Sequence, residues 1–325
     1  LLTTPGSFGT AYELAFELSF GSLAPLLVAG QFVFLPLVEK RPRPLAARTD
    51  RVVTGRESAN ASLPSLPESM LGGPDGIGPT KLVRYFGLSH LGAFVLLVTG
   101  FPAGMFQTNC YILAQDDASE CVVVDPGQDA ADPLIDFLTQ SSLTPTAVLL
   151  THGHLDHTWS VEPICAKYGI PAYIAPEDRY MLADPIKGTG PTLAAVLGDL
   201  EFHEPAEVIE LTDGRRLELA GIEVTVVHTP GHTQGSVVFL AHADGPDGSV
   251  PLALTGDTLF AGSIGRTDLP GGDHDQLLRS IATRLLPLSD DTVVLPGHGG
   301  QSSIGQERAS NPFLVGLTDP GQGKL

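Results

Sequence analysis

The sequence predicts a mixed α/β domain in which two β-sheets lie under covering helices, preceded by a segment that builds no core. Two observations carry this. From residue 96 onward, ten short apolar runs of strand length alternate with four helix-length stretches, an order that suits sheets flanked by helices. Four of those runs also end in a glycine-bearing turn that presents His or Asp, as expected where loops on a rigid sheet scaffold build a site. In the first half, strands are expected near 96–99, 109–114, 120–124, 146–150 and 171–175, with helices near 130–140 and 158–168. The second half gives strands near 206–211, 222–228, 236–241, 251–255 and 292–295, with helices near 274–285 and 303–309.

The richest turn is Thr151-His152-Gly153-His154-Leu155-Asp156-His157, which follows the apolar run 147–150. His152 and His154 leave the strand two residues apart, so they share a face and can grip one ion. Asp156 and His157 follow where the chain turns into a helix, and their different direction suits a second ion. Imidazole and carboxylate are the ligands zinc accepts in hydrolytic sites. The plainer alternative is a histidine-rich surface loop. Three further strand ends argue against that. The run 224–227 leads through Pro230-Gly231 to His232, the run 252–254 to Asp257 in Thr255-Gly256-Asp257-Thr258, and the run 293–295 to His298 in Pro296-Gly297-His298-Gly299. Their convergence would make a dinuclear centre.

This ordered set, THGHLDH, TPGHT, TGDTLF and PGHG, resembles the metallo-β-lactamase superfamily. The stretch from Gly262-Ser263-Ile264-Gly265-Arg266-Thr267-Asp268 to Asn311-Pro312-Phe313-Leu314 is similar to the short, single-domain glyoxalase II-like hydrolases. The resemblance implies an αββα sandwich with metals at one edge. It also implies that His152, His154 and His232 hold one ion, that Asp156, His157 and His298 hold the other, and that Asp257 bridges them. Asp125, in Val124-Asp125-Pro126-Gly127, matches a family aspartate that orients a ligand from behind; a turn residue before proline is the other reading. Several antibiotic-hydrolysing relatives carry cysteine where this chain has Asp257, which speaks against a β-lactamase.

Two divalent ions, zinc expected with iron or manganese as alternatives, would lower the pKa of a shared water from about 15.7 towards 7. Hydroxide then attacks without a separate general base, Asp156 aligning it while a metal stabilises the oxyanion. A thioester suits this apparatus, because its thiolate, with a conjugate acid near pKa 8.5, leaves without a strong proton donor. Arg266 could hold a substrate carboxylate or pair with Asp268. His228 is expected to pack near the site, and His90, His203, His242 and His274 to be structural or solvent-facing. The segment 184–205 could form a lid or a plain connection. The two-domain enzymes of glyoxalase II type grip glutathione with a C-terminal helical domain, to which the 27 residues after His298 offer no counterpart.

The expected function is therefore a hydroxyacylglutathione hydrolase-like thioesterase that converts an S-lactoyl-thiol or related thioester to acid and thiol, as in methylglyoxal detoxification. The carrier could be glutathione, mycothiol, bacillithiol or coenzyme A. Competing readings are a persulfide dioxygenase with one iron, another hydrolase of the fold such as a lactonase or esterase, and a noncatalytic scaffold.

Residues 1–94 differ in character. Eight Lys and Arg against seven Asp and Glu leave them at +1, so residues 95–325, the expected hydrolase domain, carry −20 of the chain's net −19. Such acidity disfavours binding to nucleic acid or anionic membrane. The proline-rich stretch 40–51 and the Ser, Pro and Gly-rich stretch 58–80 build no core. The uncharged segment 18–38 is long enough to span a bilayer, but Pro25, Gln31 and Pro36 and the missing basic region before it weaken that reading. The expectation is an overextended gene model with the true start near Leu96, a disordered or anchored extension being the alternative. Cys110, Cys121 and Cys165 form no CxxC pair; Cys110 and Cys121 could face each other across a hairpin at 115–119, but reduced core thiols in a cytoplasmic protein are expected.

Overall fold

The structure, a computed structural model, describes residues 81–84, 96–115, 118–190, 197, 200–245 and 248–317. Seven strands form the first sheet in chain order: β1 (Lys81–Arg84), β2 (Leu96–Ala103), β3 (Thr108–Gln115), β4 (Glu120–Val124), β5 (Thr144–Leu149), β6 (Ala172–Ile174) and β7 (Val208–Glu210). The first four are antiparallel, and β4 to β7 run parallel. The parallel steps need crossovers. These are α1 (Ala131–Gln140) after β4, α2 (Leu155–Thr158) and α3 (Val161–Tyr168) after β5, and α4 (Tyr180–Ala183) with a 3-10 turn (Pro185–Gly188) after β6.

The second sheet contains β8 (Arg216–Leu219), β9 (Ile222–His228), β10 (Val237–Gly245), β11 (Gly248–Gly256), β14 (Val293–Pro296) and β15 (Ser302–Ser303), in the order β15-β14-β11-β10-β9-β8. Its pairings are antiparallel except β11 with β14. A small hairpin, β12 (Leu259–Phe260) and β13 (Ser263–Ile264), follows β11. Helix α5 (His274–Ser280), continued by a π turn (Ile281–Leu285), and α6 (Ile304–Ser310) complete the fold.

Side chains alternate across a strand, and this alternation divides the apolar residues into three layers. On β4, Val122 and Val124 face inward and Cys121 and Val123 outward. The inner layer joins both sheets, setting Val98, Leu113 and Leu149 in one cluster with Val224, Phe239 and Leu254. Outside the first sheet, Ile112, Val123 and Val148 pack with Leu134, Leu138 and Ile164 from α1 and α3. Outside the second, Val238, Ala253 and Val294 pack with Leu277, Ile281 and Ile304. Each such Leu, Val or Ile contributes about 1.5–3 kcal/mol by leaving water, so burial rather than helix propensity sets the αββα sandwich.

All ten expected strands and four expected helices have counterparts, with shifted ends. The helix expected at 158–168 is α3, which starts later because the chain breaks at Trp159-Ser160, where the Ser160 N–H donates to Pro126 O, and the short α2 precedes the break. Strands β1, β8, β12, β13 and β15 were not expected. They are two to four residues long, too short for periodicity to register. β1 lies within the segment set apart as lacking a core; the stretches 18–38, 40–51 and 58–80, with His90, lie outside the described residues. The β3–β4 register sets Cys121 opposite Ala114, so Cys110 and Cys121 do not face each other. All three cysteines are buried and free, and burial holds the Cys121 and Cys165 thiols up at about 12. Among the described residues no helix is long and apolar enough to cross a membrane.

Candidate metal centre

Five strand ends meet at one edge of the sandwich. Asp125 follows β4, His152, His154, Asp156 and His157 follow β5, and His232 lies in the β9–β10 turn. Asp257 follows β11 and His298 follows β14. Glycine allows the close approach of these turns. A Cβ at Gly297 would collide with the Asp257 carboxylate and the His157 ring, and one at Gly265 would collide with the Asp257 carbonyl.

The first group consists of three imidazoles. His232 Nε2 lies 3.2 Å from His152 Nε2 and 2.9 Å from His154 Nδ1. A tetrahedral ion with nitrogen ligands at about 2.0–2.1 Å sets them roughly 3.3 Å apart, so this triangle has the size of a zinc-like face. The remote nitrogens fix which atoms face inward. His232 Nδ1 donates to the Arg266 carbonyl at 2.7 Å, and His152 Nδ1 lies 3.2 Å from Thr151 Oγ1. Burial and then neighbouring imidazoles push His152 well below its ordinary range, and burial followed by His232 takes His154 down to about 3. Both shifts favour the neutral form, which leaves His152 and His154 free to offer lone pairs to an ion.

The second group mixes charge types. His157 Nδ1 donates to Asp125 Oδ2 at 2.9 Å and His298 Nδ1 to Phe106 O at 3.1 Å, which leaves their Nε2 atoms 3.3 Å apart. Asp156 Oδ2 is 3.2 Å from His298 Nε2 and 3.6 Å from His157 Nε2. Asp257 lies between the groups. Its Oδ1 is 3.2 Å from His157 Nε2, and its Oδ2 is 3.7 Å from His232 and 3.5 Å from His298. Burial opposes ionisation of Asp156 and Asp257, but the surrounding histidines, His157 foremost for Asp156 and His298 for Asp257, hold both far below the usual carboxylate range. Burial likewise opposes charge on His157 and His298, and Asp257 and Asp156 outweigh it and raise both.

The donor set fits cations. Asp257 Oδ1 is buried with no hydrogen-bond partner, and leaving such an acceptor unmet costs about 1–3 kcal/mol or more. A metal ion satisfies it and the facing imidazole lone pairs together. Among the described residues, three overlapping sets can hold an ion: His152, His154 and His232; His152, His157 and Asp257; and Asp156, His157 and His298.

Asp125 accepts from the Thr151 N–H at 2.8 Å and the Thr151 hydroxyl at 2.6 Å besides His157, with φ at +50°. It thus joins the two strand ends while turning the His157 ring. The Arg266 guanidinium is engaged by Asp268 at 2.8 and 2.7 Å, and its carbonyl accepts from His232. His228 bonds the Gln234 carbonyl at 2.8 Å, while His203, His242 and His274 are exposed.

Several participants went unseen in the sequence. Asn109 Nδ2 donates to the Pro296 and Gly299 carbonyls at 2.9 Å each, and the Tyr111 hydroxyl donates to Pro296 O at 2.8 Å, so β3 pins the turn that carries His298. Asp178 is buried and accepts three hydrogen bonds from the turns that carry the first group. It follows an apolar strand, β6, so the strand-end rule could have found it.

The family model for the metallo-β-lactamase superfamily matches residues 103–298. An uncharacterised protein of Mycobacterium leprae (strain TN) is 55% identical over 223 residues, 68% of this chain and 100% of its own length. Hydroxyacylglutathione hydrolase GloC of Haemophilus influenzae is 38% identical over 218 residues, 66% of this chain and 95% of that protein. Among solved structures, the BLEG-1 B3 metallo-β-lactamase superposes with a TM-score of 0.59 at 39% identity, covering 67% of this chain and 100% of that one. With its αββα layers, its strand-end histidines and aspartates and a family match spanning the site, the chain belongs to the metallo-β-lactamase superfamily.

Proposed function

We propose that this metallo-hydrolase superfamily member is a thioester hydrolase of glyoxalase II type, acting on an S-lactoyl-thiol or a related small acyl thioester. The observation that carries the proposal is the carboxylate of Asp257 set between the two ligand groups, supported by the likeness to GloC. His152, His154 and His232 would hold one divalent ion, Asp156, His157 and His298 the other, with Asp257 shared. Bound there, such ions supply Lewis acidity and an activated water.

The chain's own groups do the rest. Asp156 Oδ2, beside the Thr108 hydroxyl at 3.4 Å and His298, accepts a hydrogen bond from the attacking water and aligns it. The Phe106 and Arg266 carbonyls lock the His298 and His232 rings, so the site needs little reorganisation during reaction. The thiolate departs without a dedicated acid, because its conjugate acid has a pKa near 8.5. A second reading, hydrolysis of a β-lactam amide, draws on the likeness to BLEG-1; Asp257 favours the thioester.

The test is metal analysis of the purified chain with rates on S-lactoylglutathione and on a chromogenic cephalosporin, and oxygen uptake with a persulfide. About two metal equivalents, oxygen-independent thiol release and loss of more than about 100-fold in Asp257→Ala and His154→Ala are expected. Preference for the cephalosporin would replace the thioester by the amide. One iron with oxygen uptake and no thiol release would sink hydrolysis altogether.

A further inference from the structure

Asp125 serves the mixed histidine and aspartate half of the site, and the three-histidine half has a carboxylate of its own. Asp178 lies in the turn between β6 and α4 and is 1% exposed. Its Oδ2 accepts from the Gly153 N–H at 2.9 Å and the Thr233 hydroxyl at 2.6 Å, and its Oδ1 accepts from the Gly235 N–H at 2.8 Å. Gly153 separates His152 from His154, so fixing its peptide fixes the strand end that aims both rings. Thr233 adjoins His232, and Gly235 closes the same turn. All three histidines are therefore within one residue of a group that Asp178 holds. The turns come from different sheets, which Asp178 fastens together where the Val237 N–H also donates to Thr151 O at 2.8 Å.

The fit is specific to a small carboxylate. A Cβ at Gly153 would press on the Asp178 backbone and Cβ, and one at Gly235 on its carboxyl group, so both glycines make room for it. Three donors meet two oxygens, both acting only as acceptors. Asparagine would turn an N–H₂ group towards a donor whichever way it was flipped.

We infer that Asp178 is a positioning residue that sets the spacing of His152, His154 and His232, and so governs the affinity of one metal ion and not the other. The inference rests on the metal reading of the proposed function. Removing a partner that supports metal ligands costs about 10–100-fold in affinity.

The experiment titrates cobalt(II) into the metal-free full-length chain against a competing chelator. Ligand-field absorption separates an ion on three imidazoles from one on mixed ligands, and thermal unfolding of each metal-free variant is recorded alongside. Asp178→Ala and Asp178→Asn should weaken the three-imidazole ion about 10–100-fold and leave the other tight. Asp125→Ala, which removes the partner of His157 and also the hold on Thr151 beside His152, should weaken the mixed-ligand ion, so that only the Asp178 variants spare it. If the Asp178 variants do not fold, the pair Thr233→Val and Thr233→Ser decides: loss of affinity for the three-imidazole ion in the first and recovery in the second, which keeps the hydroxyl, is expected. Unchanged affinity in the folded Asp178 variants, or in Thr233→Val where those do not fold, overturns the inference. Equal weakening of both ions together with a fall in metal-free stability overturns it too, since that is what a merely structural bond would give. A wild-type chain that binds no cobalt instead removes the metal reading itself.

Discussion

A histidine at this site is defined by what its second nitrogen touches. His232 and His298 give their Nδ1 protons to the Arg266 and Phe106 carbonyls, and His157 gives its own to Asp125, so three rings are aimed by bonds to groups outside the ligand sets. A pH dependence follows for the metal-free protein. Burial and neighbouring imidazoles lower His152 and His154, the latter to about 3, so the unfolded chain takes up protons below about pH 6.5 where these rings do not, and stability falls on acidification. His157 and His298, raised by Asp257 and Asp156 against burial, contribute stability that is complete below the unfolded value of 6.5 and lost as pH rises through their folded values. Asp156 and Asp257 are depressed, and their contribution is lost only as pH falls below about 3.8. Urea midpoints of the chelated protein should therefore peak near pH 6.5 and decline on both sides. A midpoint still rising to pH 8.5 would show that His157 and His298 are not held protonated.

Elements divide into those that carry ligands and those that hold the carriers, and sequence exposes mainly the first kind. His152, His154, His232, Asp257 and His298 could be singled out because each stands beside glycine just past an apolar run, and Asp156 and His157 because they continue the His152 cluster, a pattern of residue types along the chain. Asn109 and Tyr111 could not be, because their partners lie 185 or more residues away and the bonds exist only once the strands pair; Asp178 carried the strand-end signal, but its donors lie 25 or more residues away. The long strands were legible for the same reason as the ligands. Edge strands such as β8 were not: only Leu217 of its four residues is buried, too weak an alternation to register. Asn109 tests the carrying role of β3. Asn109→Ala leaves the Pro296 and Gly299 carbonyls without the amide and frees the His298 turn. A stability loss of about 1–3 kcal/mol is expected in urea, with a drop in kcat/KM at saturating metal. If stability falls and kcat/KM does not, the His298 turn is held by other bonds.

At the scale of the whole molecule, the site closes one edge of the sandwich like a clasp. His152, His154, Asp156 and His157 stand on the first sheet, and His232, Asp257 and His298 on the second, so an ion in any of the three-histidine, bridging or mixed positions ties chain segments that are otherwise joined through the inner apolar layer. Each ligand set gathers residues that are distant in sequence, and the unfolded chain cannot assemble it. A metal held there would bind the folded state more tightly than the unfolded chain, which keeps only the local His152–His157 cluster, and that difference in affinity would add to stability by mass action. At free metal about 100 times the dissociation constant, one ion contributes about 2.7 kcal/mol. For a domain of this size each kcal/mol moves the melting temperature by about 2–4 °C, so chelation should lower it by roughly 5–10 °C per ion. The same chelator should shift Asp257→Ala much less, because that variant lacks the carboxylate between the two groups. A melting temperature unchanged by chelation in the wild-type chain, with metal loss verified, would mean that the inner layer and the direct bonds between the sheets, among them those of Asp178, Thr151, Asn109 and Tyr111, hold the sheets in register without metal.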